Sequence, residues 1–496
     1  MGIVKFFSSS VLSAAALYGG VCRAEAVVHR VGVKEDLEYL EPGRAEKMDL
    51  YYPADPRPGE KFPGVVVIHG GGWIHGIRNA DREINIGSNL ARMGYVAISI
   101  EYRLGDRENL KKYGRIYPVN VLDCKTAVQY LRVLAAELNV DPERIGCIGG
   151  SAGGHLVMML AVTPPESGLE PTAPYPGVDT RVQAAVNLYG LMEFNKNCSG
   201  ARIAVMGSTP DKDPENWSKM SPNEQVTAQT PPVLQIHGKA DPTVNYLQSV
   251  RMKEVLDRAG VYNELILLEG VGHAFSMQKW REKPLPPTVR QRVLAFFDRQ
   301  LKGVSEAEAA ERFAALEAFE KAHPEAAEYG VFSLRDAVVK RAGDGELTVS
   351  GSGGDLSTGF AYDLVLEKQL RATAEKLRED IPVEVHGELR KPGLIDCKRI
   401  IFRPYWKNSD AFSQRWRGKV QGRRGILRRK GGFWRLQIDE KGRTAKLKIG
   451  DGKTEFLECV PMRPADLKPG LRVLWMRGRN YGDFRKAFFV TLEQKN

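Results

Sequence analysis

Ser151 stands in the run "IGCIGGSAGGHL" (145–156), between glycine pairs. A serine hydroxyl is a weak nucleophile at neutral pH. To attack an acyl carbon it needs a base within hydrogen-bond reach, a carboxylate to orient that base, and donors for the oxyanion. Gly149-Gly150-Ser151-Ala152-Gly153 fits the pattern G-x-S-x-G, in which small neighbours permit a sharp strand-to-helix turn that lifts the hydroxyl clear of a sheet. The apolar run before it and "HLVMMLAV" after it predict that context. Taken alone, the pattern also fits a small-residue turn with no chemistry.

A second glycine run supplies what the serine lacks. "HGGGW", His69 to Trp73, follows the apolar stretch 65–68. Consecutive glycines let bare amides face a cavity, so Gly71 and Gly72, with Ala152, are the expected oxyanion donors. Trp73 and His75 are the expected substrate-lining residues, and the loop 163–180 is a further candidate wall. Asp241, in "IHGKADPTV", lies just past an apolar run, where the active-site loops of open parallel sheets gather. Asp211 and Asp213 compete, but they sit in a polar loop. The chain has eight histidines. His69 belongs to the glycine loop, His155 lies one turn into the helix, His237 lies on a strand, and His323 and His386 fall outside this region. His273, in "EGVGHAFS", has a flexible glycine approach and follows the last apolar run, which makes it the candidate base.

The elements that must position these residues are short apolar runs at 65–69, 96–101, 145–149, 184–189, 233–237 and 264–269. Between them, 120–138 and 246–259 place apolar residues at helical spacing, and 288–301 closes the unit as a helix. Continuous apolar strands alternating with helices predict a mostly parallel sheet covered on both faces. Segments 27–34 and 45–52 alternate and are expected as an antiparallel edge.

In this order the residues are Ser151, Asp241, His273. Residues 45–300 resemble the α/β-hydrolase superfamily, in its hormone-sensitive-lipase-like and acetylxylan/feruloyl-esterase-like branches. "MDLYYPA", "VVVIHGGGW", "SIEYRL", "DCKTAVQYLR", "DPERIGCIGGSAGGHL", "SPNEQVTAQTPPVLQIHGKADPTV" and "GHAF" carry the resemblance. It implies an α/β-hydrolase fold and a serine carboxylesterase working through an acyl-enzyme, with no metal or cofactor. Ser151 is then the nucleophile, His273 the base and Asp241 its orienter. Gly150 stands where many lipase-like members carry Asp, which favours the carbohydrate-esterase branch and acetyl or feruloyl esters of plant polysaccharide. A prolyl-oligopeptidase-like serine peptidase is the near alternative, although only about 35 residues precede the sheet, where those relatives carry a large propeller. A catalytically silent binding protein is the other class, and a missing triad member would mark it.

At 496 residues the chain exceeds one ordinary core. Its formal net charge is +11, and residues 381–496 alone hold 28 Lys and Arg against 12 Asp and Glu. The expected organisation is an export signal over 1–24, a hydrolase domain over 25–303, a helical linker over 304–345 and a basic β-rich module over 346–496. That module could be two small barrels, since "VEVHGELRKPG" and "VLWMRGRNYG" loosely repeat. Ser305 followed by Glu308 resembles a capping box. "FFSSSVLSAAALYGGV" followed by "CRAEA" has the composition of a signal peptide, so the protein is expected to be secreted or periplasmic. No later apolar run is long enough to span a membrane. Cys124 and Cys147 fall at core positions, and six widely spaced cysteines form neither a disulfide framework nor a metal pattern. Trp406, Trp416, Phe433, Trp434 and Trp475 interleave with Arg and Lys, which would suit an acidic glycan or cell-envelope polymer as partner, while a solvated basic module with these aromatics in its core is the plainer reading. Nucleic acid is a less natural one.

Overall fold

A computed structural model describes residues 28–496 except 197–199, 282, 344–345, 353, 372–381, 392–393, 403–419, 431–432, 438–443, 450–454, 470, 482–484 and 494–496. The expected signal segment, Trp406 and Trp416 lie outside the described residues.

The first sheet has eight strands: β1 (Val31–Leu37), β2 (Met48–Pro53), β3 (Phe62–Ile68), β4 (Val96–Ile100), β5 (Val140–Gly150), β6 (Ala184–Leu188), β7 (Val233–Gly238) and β8 (Asn263–Leu268). Their order is β1-β2-β4-β3-β5-β6-β7-β8. β1 and β2 form the antiparallel edge, and β4 through β8 run parallel. The helices are α1 (Asp81–Arg92), α2 (Arg107–Tyr113), α3 (Val119–Val133), α4 (Ala152–Val162), α5 (Gly200–Met206), α6 (Pro214–Lys219), α7 (Leu247–Arg258), α8 (Pro287–Lys302) and α9 (Glu306–Ala322). Side chains alternate across a strand, and β3 shows the result. Val66 and Ile68 pack with residues of α3, α4 and α7, whereas Val65 and Val67 pack with residues of α1 and α8. Both faces are therefore apolar, which is why the strands read as unbroken apolar runs. Cys124 and Cys147 are buried free thiols in the first of these cores.

The stretch 304–345 is helical only in part. α9 opens with the Ser305–Glu308 capping box. It docks on α8 through buried Ala309, Phe313 and Leu316 and through a two-bond Arg290–Glu320 ion pair at 2.7 and 2.8 Å. It ends at Ala322, and strand β11 (Tyr329–Gly343) begins seven residues later. The helical linker expected to run to 345 is thus corrected. "YGVFSLRDAVVKRAG" has no helical period and pairs along its length with a distant strand.

After the short hairpin of β9 (Lys279–Trp280) and β10 (Lys283–Pro284), the remaining strands form one sheet. They are β11, β12 (Glu346–Gly351), β13 (Gly354–Arg371), β14 (Pro382–Lys391), β15 (Leu394–Phe402), β16 (Val420–Lys430), β17 (Phe433–Gln437), β18 (Thr444–Ile449), β19 (Glu455–Pro461), β20 (Arg472–Tyr481) and β21 (Arg485–Glu493). Phe433 and Trp434 fall on β17 and Trp475 on β20. The pairings close two rings. One runs β11-β12-β13-β21-β20 and back to β11, with β13 and β21 parallel. The other runs β14-β15-β18-β17-β16 and back to β14. β19 joins them by pairing with both β13 and β15. Closing a sheet removes its exposed edges.

The first ring sits against β1 and α1 of the unit built on the first sheet. Glu35 of β1 is 4% exposed and accepts from Tyr481 Oη at 2.7 Å and Lys486 Nζ at 2.6 Å, with Arg479 Nη1 at 3.5 Å. The Val331 amide donates to Asp81 Oδ1 at 2.9 Å, at the start of α1. No helix among the described residues is long and apolar enough to cross a membrane.

Candidate active site

β5 ends at Gly150, and α4 begins at Ala152. Between them Ser151 has φ 60° and ψ −121°, a strained backbone that persists only where its surroundings enforce it. The close approach of Gly153 to β3 helps enforce it, since a Cβ there would overlap the Ile68 carbonyl. The Ser151 amide is held by the Leu188 carbonyl of β6 at 2.9 Å.

The loops after β7 and β8 bring the other two side chains to this serine. His273 Nε2 lies 2.9 Å from Ser151 Oγ, and His273 Nδ1 lies 2.6 Å from Asp241 Oδ2. Asp241 Oδ1 accepts from the amides of Thr243 and Val244 at 2.8 and 3.0 Å. Burial pushes the Asp241 carboxyl up, but the hydrogen bonds from His237, His273 and these amides outweigh it and hold the group well below the usual carboxylate range. Asp241 is therefore an anion that can keep the imidazole Nδ1–H pointed inward. The competing Asp213 instead pairs with Asn216 at the start of α6.

The glycine loop follows β3. Gly71 has φ 115°, and a Cβ there would overlap the His75 carbonyl, so only glycine fits. Its carbonyl accepts from the Ile74 and His75 amides at 3.3 and 3.2 Å, which folds the loop tightly. Among the described residues neither the Gly71 nor the Gly72 amide donates to a backbone carbonyl. Ala152 carries the first amide of α4, and first-turn amides have no acceptor within their helix. These three groups lie on the glycine loop and on the first turn of α4, and they can serve a developing oxyanion.

The substrate-lining expectations divide. His75 is exposed, with its ring over Gly71. Trp73 is only 6% exposed and packs edge-on against His155 and Phe194, each 5.2 Å away. It braces the loop from beneath. The loop 163–180 lies elsewhere than expected. Buried Lys125 of α3 bonds Thr163 O at 2.5 Å and Thr180 Oγ1 at 3.3 Å and pairs with Glu170. Gln129 and Arg132 hold Val178 and Asp179. α4 has carried the chain away from Ser151, so this loop returns it to the start of β6, at the opposite end of the sheet from the serine.

Three supports were missed. Tyr189, just past β6, stands edge-on to the His273 ring at 4.9 Å. Trp280 Nε1 donates to the His273 carbonyl at 3.0 Å. His237 Nε2 lies 3.4 Å from Asp241 Oδ2. Position was the only signal available, since Tyr189 and His237 both fall where strands deliver side chains to the active-site end. Among the described residues no group of three His, Cys, Asp or Glu converges as a metal would need.

Residues 48–256 match the BD-FAE family model, and this part of the chain is an α/β-hydrolase-like domain. The chain is 29% identical over 254 residues to the probable carboxylic ester hydrolase LipM of Mycobacterium tuberculosis, an alignment covering 49% of this chain and 56% of that one. It is 31% identical over 243 residues to Esterase LipC of the same organism, covering 47% and 58%. The match thus spans little more than half of either relative. Among solved structures, esterase 2 of Thermogutta terrifontis, phosphorylated by paraoxon, is 27% identical with a TM-score of 0.44, over 54% of this chain and 94% of that one.

Proposed function

We propose that the protein is a serine carboxylesterase that hydrolyses short-acyl esters through an acyl-enzyme. The observation that carries this reading is the unbroken chain from Ser151 through His273 to Asp241, at 2.9 and 2.6 Å. His273 Nε2 takes the Ser151 proton as Oγ bonds to the ester carbon. The oxyanion forms against the amides of Gly71, Gly72 and Ala152. Collapse expels the alcohol, which leaves with the proton from His273 Nε2. Water, deprotonated by the same nitrogen, then attacks the acyl-enzyme, and as the Ser151 Oγ–acyl bond breaks the imidazolium returns that proton to Oγ and the acid leaves. Asp241 stays ionised throughout and stabilises the imidazolium. The esterase names of the aligned mycobacterial proteins agree with this chemistry.

A short acyl group is the proposed acyl part, and the packing below the glycine loop supports it. His155, one helical turn past Ser151, packs with Trp73 and Phe194 and fills the space beneath the glycine loop. Acetyl or feruloyl esters on plant polysaccharide are the proposed substrate class. The basic C-terminal module is proposed to hold acidic glycan, and the N-terminal composition supports export. The test is hydrolysis of p-nitrophenyl acetate and butyrate by the wild type and by Ser151→Ala. A loss of about 10³-fold or more in the variant is expected, with acetate preferred over butyrate. Comparable activity in Ser151→Ala would refute the reading.

A further inference from the structure

A polar cavity of about 220 Å³ opens at the end of the first sheet opposite Ser151. Phe62 at the start of β3, Gly94 ahead of β4 and Arg144 early in β5 belong to its wall. Ser151, Asp241 and His273 follow the far ends of β5, β7 and β8. A strand of seven residues therefore separates the two sites by roughly 20 Å.

The charges of this cavity do not balance. Arg57, Lys61, Arg144, Lys302 and Arg312 line it, against the single carboxylate of Glu60. Behind the wall Arg144 pairs with Asp141 at 2.7 Å. Lys302 and Arg312 share one carboxylate, buried Asp298, at 3.0 and 2.9 Å. Tyr95 donates to the same group at 2.6 Å. Among the described residues neither Arg57 nor Lys61 has an acidic partner within ion-pair distance. His29, 3% exposed, lies edge-on to Phe62 at 5.3 Å, and only its Nδ1 is engaged, 3.3 Å from Asp55. Its Nε2 lies against Gly94, and both residues line the cavity. Burial lowers the Lys302 ammonium to about 8, so a nearby anion would favour its charged form. Partly buried cations in excess of their carboxylates attract an anion.

We propose that this cavity binds a phosphate group. Arginine N–H groups suit the oxygens of a tetrahedral anion, and Arg144 Nη2 and Arg312 Nη1 remain unengaged by the hydrogen bonds that fix those side chains. The volume is below the roughly 300–1,000 Å³ of drug-sized sites, so the site takes the anionic group and leaves any remainder outside. The inference does not depend on the esterase chemistry.

The test is titration calorimetry of the full chain at low ionic strength, with inorganic phosphate and separately with glucose 6-phosphate. Binding of one phosphate per chain is expected. Arg57→Ala/Lys61→Ala, both exposed positions, should weaken it about tenfold or more with melting temperature and ester hydrolysis unchanged. Binding of inorganic phosphate alone would mark a site for the free ion. Equal binding of glucose 6-phosphate would mark one for a phosphomonoester. Both accord with the proposal. Absence of saturable binding up to about 10 mM, or binding unaltered in the double variant and therefore owed to the basic module, would overturn it. Arg144→Gln is the second probe, and it too must weaken binding.

Discussion

The Arg82 guanidinium donates to the Tyr189 hydroxyl at 2.8 Å, and that hydroxyl donates to the Phe275 carbonyl at 2.7 Å. Arg82 also pairs with its neighbour Glu83. The same side chain lies over the serine turn, since a Cβ on Gly150 would stand 2.7 Å from Arg82 Nη1 and from Tyr189 Oη. One half-buried cation thus ties the first turn of α1 to the strand end carrying Tyr189 and to the loop carrying His273. Tyr189→Phe removes the bridge and leaves Arg82 short of an acceptor. We expect kcat to fall about tenfold with KM little changed, because misplacing the base affects the transition state more than binding. A KM effect of equal size with normal kcat would contradict a positioning role.

Gly153→Ala places a methyl group against the Ile68 carbonyl. Backbone cannot yield as a side-chain tip can, so a cost of roughly 3 kcal/mol in stability is expected, with activity lost in the fraction that still folds. Thermal melts and ester hydrolysis on the same preparation measure both.

Two buried histidines set an acid limit. Burial lowers His69 and His155 to about 4, while an unfolded chain protonates histidine near 6.5. The folded state holds them neutral, so their stabilisation is complete above about 6.5 and is lost as pH falls toward 4. The slope is on the order of 1.4 kcal/mol per pH unit for each group. Melting temperatures at pH 7, 5.5 and 4.5 should fall across this window. His155 Nε2 lies 2.9 Å from the Met220 carbonyl; His155→Gln, whose amide can still donate there, should flatten the fall, and an unchanged slope would exclude His155 as a source.

Glu35→Ala removes the carboxylate that Tyr481 and Lys486 share. Breaking a buried pair leaves its cation without a partner and costs about 3 kcal/mol. Denaturant unfolding should show the first ring separating from the hydrolase unit at lower denaturant than in the wild type, and proteolysis between α9 and β11 should accelerate. Coincident, unshifted transitions would argue against this contact as the joint.

The strands of the first sheet were legible because burial on both faces leaves no polar alternation to confuse with a turn or a helix. The three chemical side chains could be named from chain order and from glycine neighbours. Their mutual distances could not, because they depend on how β5, β7 and β8 end side by side. The supports of the site were hidden for the same reason. Nothing local distinguishes Tyr189 from a core tyrosine or Arg82 from a surface arginine. The strand β11 is hidden in the sequence because its pairing partner, β20, lies more than 130 residues away. The loop 163–180 was misplaced because the direction of α4, rather than any property of the loop, decides the end of the sheet to which the chain returns.

The second ring interrupts the first between β13 and β20. During synthesis β11, β12 and β13 must therefore wait about a hundred residues for the two strands that complete their barrel. Glu35, made among the first strands, meets Tyr481 and Lys486 only after 446 and 451 further residues. Contacts this distant in sequence close slowly, and exposed strand edges invite association while they wait. The first sheet can therefore assemble well before its seal at β1 is made.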